Sequence, residues 1–127
     1  MLTVPRTQKT KAPLTVPVST ELATAVDAAA PAGSLIFLLN EHGRPYSPST
    51  GSRWFAQACK HAGLDQCSAH GLRKAAARRL AEAGCSASEI ASITGHKTLR
   101  EVQRYVDAAD RVRLAHSATA KLRAVNT

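Results

Sequence analysis

The apolar positions begin with a two-residue period and then settle into a helical one. Over the first twenty residues Thr, Val and Leu alternate with polar positions around Lys9-Thr10-Lys11-Ala12, which predicts a β-hairpin with strands near 2–8 and 13–18. Pro5, Pro13 and Pro17 confine such a hairpin to an edge. From Ser19 or Thr20 a capped helix is expected to run to about Ala30, with Leu22, Val26 and Ala29 or Ala30 as its apolar side, ending at Pro31-Ala32-Gly33. The short run Leu35 to Leu39 reads as a buried strand or extended segment. Ser47-Pro48 then places Ser at the N-cap and Pro at the first helical position of a helix containing Trp54, Phe55, Ala58 and Cys59. Its aromatics read as core rather than as a base-stacking platform, with Arg53 and Lys60 left to face DNA. His42 and His61 read as surface residues.

Ser68 caps the next helix, in which Leu72, Ala76, Leu80 and Ala83 recur at helical spacing as the expected buried stripe. Gly84 ends it, and Ser86-Ala87-Ser88-Glu89 opens a short helix through Ile90 and Ile93 in capping-box form. Gly95 stops that one. Thr98 and Glu101 have the same Thr-x-x-Glu form, and Leu114, Ala118, Leu122 and Val125 mark a last amphipathic helix. The expected fold is α+β and mainly helical: a small antiparallel β-hairpin followed by a helical bundle.

Composition narrows the partners. The 127 residues suit one domain, and 17 Lys and Arg against 9 acidic residues give a net charge of +8. Such a balance favours an anionic partner, most simply nucleic acid. Three cysteines, Cys59, Cys67 and Cys85, show no framework spacing and point to reduced thiols in cytoplasm. The apolar run at Leu35 to Leu39 is too short to span a membrane, and the residues from Met1 to Arg6 have no signal-peptide core, so no membrane association is expected.

The candidate chemistry lies in two short stretches. In Ser68-Ala69-His70-Gly71-Leu72-Arg73-Lys74, His70 and Arg73 fall three apart and share one helical face. In Gly95-His96-Lys97-Thr98, the histidine precedes Tyr105 by nine residues, and Tyr105 is one of two tyrosines in the chain. On one unbroken helix His96 and Tyr105 would point to opposite sides, about 13 Å apart along the axis. A break at Gly95 lets both turn inward. The set His70, Arg73, His96 and Tyr105 suits a phosphate site. Cys67 and His70 form a Cys-x-x-His pair to which Cys85 and His96 could add two zinc ligands, but Cys85 and His96 are not the second close pair that structural zinc sites usually show. No metal or other cofactor is expected.

This pattern resembles the catalytic domain of the tyrosine recombinases, the phage integrase family. The family carries a His-x-x-Arg box, a Gly-His dipeptide and a nucleophilic tyrosine nine residues after the second histidine; here these are His70 to Arg73, Gly95-His96 and Tyr105, in the same order and spacing. The likeness extends from Gln8-Lys9-Thr10 to Ala108-Ala109-Asp110-Arg111. It implies DNA strand cleavage and rejoining through a 3′-phosphotyrosyl intermediate, demanding neither ATP nor metal. It also implies double-stranded DNA as partner and Tyr105, Arg73, His70, His96 and the hairpin lysine Lys9 as catalytic residues, with Lys11 as the fallback for Lys9. Lys11, Lys74 and Lys97 are expected to contact DNA. The segment after Tyr105 is expected to pack on its own domain or to join protomers in a homo-oligomer. The family's upstream arginine box and core-binding domain have no counterpart in 1–127, Arg6 lying in the hairpin itself. The expectation is therefore a partial catalytic domain that by itself binds DNA weakly and cleaves it poorly or not at all. The alternative is a non-catalytic helix-turn-helix module, for which helix, Gly84 turn and helix supply the outline.

Overall fold

The computed structural model describes residues 1–5, 7, 11–29, 36 and 38–125. The chain is mainly helical, with five helices and a two-stranded antiparallel sheet among the described residues. The sheet pairs β1, Leu2–Val4, with β2, Leu14–Val16, in the register Leu2 to Val16, Thr3 to Thr15 and Val4 to Leu14. Both strands are shorter than expected. Pro5 follows β1, and Pro13 and Pro17 bracket β2. A proline has no N–H to give a ladder, so the regular pairing is interrupted at each, and the arms meet again where the Thr7 amide donates to the Ala12 carbonyl at 3.0 Å.

The helices are α1, Thr20–Ala29; α2, Pro48–His61; α3, Ala69–Glu82; α4, Ala87–Thr94; and α5, Leu99–Val125. The chain falls into two compact units, one of Pro17–Leu72 with Met1, the other of Leu2–Val16 with Arg73–Thr127. The first unit holds α1, α2 and the loop before α2. Ser47 caps α2 as expected, its side chain accepting from the Thr50 amide, with Pro48 in the first turn. Phe55 and Cys59 are half-buried, but Trp54 is 45 % exposed, against the expectation that it is core. Within the run Leu35 to Leu39, Leu35 and Phe37 lie outside the described residues. Ile36 and Leu38 are exposed and Leu39 makes one isolated bridge to Pro45, so the described part is not a buried strand.

The second unit carries the densest core. Ala77 and Ala81 of α3, Ile90 of α4 and Val102 of α5 are buried, with Leu80, Cys85, Ala87, Ala91, Tyr105, Val106 and Ala109 packed around them. On α4 the inward positions 87, 90, 91 and 94 and on α5 the positions 102, 105, 106 and 109 both follow the three-and-four spacing of one helical face. Burying Ile90 and Val102 stabilises by about 1.5–3 kcal/mol each.

The face of α3 that is buried differs from the expected one. Leu72 is 60 % exposed and Ala76 and Ala83 are exposed, while Ala77 and Ala81 are buried and Leu80 is half-buried. Stepping one turn back from Ala77 reaches Arg73, which therefore belongs to the buried stripe. Ala77 and Ala81 share one core cluster with Ile90 of α4 and Val102 of α5, which Leu72 does not join. Gly84, in a left-handed conformation at φ 90°, ends α3. Its amide donates to the Ala81 carbonyl and that of Cys85 to Leu80, the paired bonds of a Schellman end.

Candidate active site

Arg73 reaches the site because α3 points it at the end of α4. Its Nη2 donates to the Gly95 carbonyl at 3.1 Å, and its Nε is buried without an acceptor among the described residues. Leaving a buried donor unsatisfied costs about 1–3 kcal/mol, more for a charged group. The guanidinium is thus anchored at one edge and under-satisfied at another.

Gly95 is the hinge of the site. It caps α4 at φ 68° and ψ 31°, a left-handed conformation that glycine adopts without penalty. A side chain there would also bring its first carbon to 3.3 Å from Cδ2 of Leu14, so the absent side chain admits the hairpin. The upstream cap of α4 is the expected capping box: Ser86 Oγ accepts from the Glu89 amide while the Glu89 carboxylate accepts from the Ser86 amide at 2.7 Å. The Ser86 backbone and hydroxyl donors hold the Glu89 carboxyl below the usual glutamate range.

His96 follows Gly95 and is half-buried. Its Nδ1 lies 2.5 Å from Thr94 Oγ1, and that hydroxyl donates its hydrogen to the Ile90 carbonyl at 2.7 Å. A hydroxyl has one hydrogen, so Nδ1 must supply the proton of the Thr94 contact. Nε2 then donates only when the ring is an imidazolium. Thr94 had no assigned part in the sequence reading. Its signal was a hydroxyl four positions after Ile90 and immediately before Gly95-His96.

His96 and Lys97 line an open groove of about 490 Å³ together with Gly95, Ala91 and Ser92 on one side and Thr7, Ala12, Pro13, Leu14 and Thr15 of the hairpin on the other. Arg73 joins this group through Gly95. Lys11 stands at the hairpin turn, exposed, with its backbone at φ 58° and its amide donating to the Thr7 carbonyl. Lys9 and Arg6 lie outside the described residues. Lys74 and Lys97 are exposed. His70 is exposed in the first turn of α3, one turn before Arg73.

Tyr105 is placed elsewhere in the same unit. The expected break is present, since α4 ends at Thr94 and α5 begins at Leu99, but the tyrosine packs on the core and lines a second cleft with Arg78, Glu82, Ala108, Ala109, Val112 and Arg113. Neither Arg73 nor His96 lines that cleft. Arg104 sits over the phenol ring at 5.1 Å from its centre and donates to the hydroxyl at 3.4 Å. This neighbour was not singled out in the sequence.

Beyond Asp110, α5 continues unbroken to Val125 with every residue of that stretch exposed, so Leu114, Leu122 and Val125 do not pack on their own unit. Among the described residues no helix is long and apolar enough to cross a membrane, and no group of three or more His, Cys, Asp or Glu side chains is disposed to hold a metal. Cys85 packs against the core.

The family model for phage integrases matches residues 1–111. No curated protein and no solved structure matches the chain.

Proposed function

The chain belongs to the phage integrase family, and from that premise we propose that it serves site-specific recombination or integration of double-stranded DNA with Tyr105 as nucleophile. Membership implies DNA binding, cleavage and rejoining. In the cleavage step the phenol oxygen attacks a backbone phosphorus, forming an O–P bond while the P–O5′ bond breaks. The phenol proton passes to a base and the departing 5′ oxygen takes a proton from an acid. A second 5′-hydroxyl reverses the step, so one phosphodiester replaces another.

The observation that carries this reading is the under-satisfied guanidinium of Arg73 beside the Gly95-His96 turn. Held against the Gly95 carbonyl, the guanidinium keeps further N–H groups with which it and an imidazolium at His96 suit two oxygens of one phosphate. Preplaced donors of this kind stabilise the charge that grows on phosphate oxygens in the transition state. His70 handles the phenol proton, and Lys9, or Lys11 in its place, protonates the leaving oxygen. Lys11, Lys74 and Lys97 hold the DNA backbone.

Tyr105 rests in its own cleft rather than in the groove of His96, so attack requires the hydroxyl to leave that cleft. The chain alone therefore binds DNA with little or no cleavage. The exposed apolar positions Leu114, Leu122 and Val125 offer the surface through which copies assemble on DNA. A second reading has its own support: α3, the Gly84 turn and α4 have the outline of a helix-turn-helix module.

A DNA substrate with sulfur in place of the bridging 5′ oxygen separates the two. A thiolate leaves without a general acid, so even slow attack accumulates an SDS-resistant adduct. The expected result is an adduct that Tyr105→Phe abolishes and Arg73→Ala strongly reduces. A gel shift without any adduct on this substrate overturns the catalytic assignment in favour of the binding module.

A further inference from the structure

The aromatic pair of the first unit, an exposed Trp54 and a half-buried Tyr46, has no part in this chemistry. Trp54 of α2 is 45 % exposed, and Tyr46 of the preceding loop meets it with ring centres 5.5 Å apart and planes inclined at 35°. The two rings line a groove of about 600 Å³ with Asn40, His42, Thr50, Arg53 and Gln57, Glu41 completing the rim. Thr50, Arg53, Trp54 and Gln57 recur at the three-and-four spacing of one helical face, so a hydroxyl, a guanidinium, an indole and an amide point the same way from α2.

The opposite wall is built rather than loose. Asn40 Oδ1 accepts from the amides of His42 and Arg44, and the Asn40 amide donates to the Arg44 carbonyl at 2.8 Å. Leu39 bridges to Pro45 and leads into the Ser47 cap of α2. The one carboxylate here, Glu41, is turned to the His42 ring at 3.5 Å. Residues 40–61 contain Arg44, Arg53 and Lys60 against Glu41, so the surface is cationic.

We propose that this face of α2 binds an unpaired base of single-stranded DNA, stacked on Trp54, with Gln57 bonding the base edge and Arg53 the adjoining phosphate. An exposed indole beside a second ring accepts the flat face of any base, and a nearby guanidinium supplies the charge a sugar-phosphate chain seeks. A duplex keeps its bases stacked on each other and cannot offer that face.

Trp54 is the sole tryptophan of the chain, so its emission reports this site alone. The test titrates the Tyr105→Phe protein, which removes the proposed nucleophile, with a labelled thymidine oligonucleotide, the uridine ribo-oligonucleotide and a duplex of equal length, following label anisotropy and indole emission together. Quenching that saturates in step with anisotropy is expected for the single-stranded DNA, and Trp54→Ala should weaken its binding about tenfold while duplex affinity changes little. Trp54→Phe should recover part of the loss, which a merely unfolded variant would not permit. Anisotropy that saturates without a change in indole emission overturns the proposal. So does an equal loss of duplex binding, which would make the face a duplex interface, or tighter binding of the ribo-oligonucleotide, which would make RNA the ligand. None of these readouts depends on DNA cleavage, so failure here leaves the assignment of Tyr105 untouched, and the reverse also holds.

Discussion

Adding one methyl group at Gly95 tests the architecture of the candidate site. The residue sits at φ 68°, and a Cβ there would lie 3.3 Å from Leu14 Cδ2. A left-handed backbone costs an alanine about 1–2 kcal/mol, offset by about 0.4–1 kcal/mol because alanine loses less freedom on folding. Gly84 supplies the control in the same unit, for it has φ 90° and its nearest neighbour is the far end of the Arg113 side chain, Nη1 at 3.5 Å, an ordinary van der Waals contact. Gly84→Ala should therefore cost about 0.5–1.5 kcal/mol, the backbone term alone. Gly95→Ala should cost that and more, because the branched Leu14 side chain must give way by a few tenths of an ångström; an extra ~0.5–1 kcal/mol is the scale of such overpacking. Urea denaturation followed by far-UV circular dichroism measures both, and a Gly95→Ala, Leu14→Ala double variant should lose the extra part. Gly95→Asn should relieve the backbone part of the cost, since asparagine tolerates this conformation, but keep the Leu14 part. If Gly95→Ala proves no costlier than Gly84→Ala and shows no coupling to Leu14, the hairpin does not close on the Gly-His turn as described.

Four further outcomes follow from the same structure. Ser86→Ala should destabilise by about 1 kcal/mol in urea through loss of the α4 cap. Because the Glu89 carboxyl is held below its ordinary value of 4.5, its contribution to stability is present above that pH and is lost as pH falls through the lowered value; Glu89→Gln should flatten that part of a urea-midpoint profile. Ile90→Ala should cost about 2–5 kcal/mol, whereas Leu114→Ala, on the exposed part of α5, should stay within about 0.5 kcal/mol, both read from urea midpoints. Lys97→Ala should reduce the slope of log affinity against log salt by about 1 in a DNA-binding titration, the signature of one lost phosphate contact.

Much of the chain's punctuation was legible in its residues. The Ser47-Pro48 start of α2, the Ser86 and Glu89 capping box, and the stops at Gly84 and Gly95 all appear where the sequence puts them. The prolines also mark where the regular ladder of the hairpin is interrupted. Of the candidate site, Arg73 bonds the Gly95 carbonyl next to His96, while Tyr105 rests in a different cleft, which the spacing of the motifs does not foretell.

Caps and left-handed stops are made by groups a few positions apart, so the sequence by itself determines them. Which side of a helix is buried depends on what arrives from elsewhere in the chain. Leu72 is the apolar choice for the inner face of α3, yet it is 60 % exposed while Ala77 and Ala81 are buried against Ile90 and Val102 and Arg73 is half-buried, bonded to the Gly95 carbonyl, all partners from later in the chain. Trp54 was the natural core residue of α2, yet no described partner covers more than part of it. Tyr105 shares its face of α5 with Val102, Val106 and Ala109, and only the packing of that face on the core decides which cleft the phenol enters.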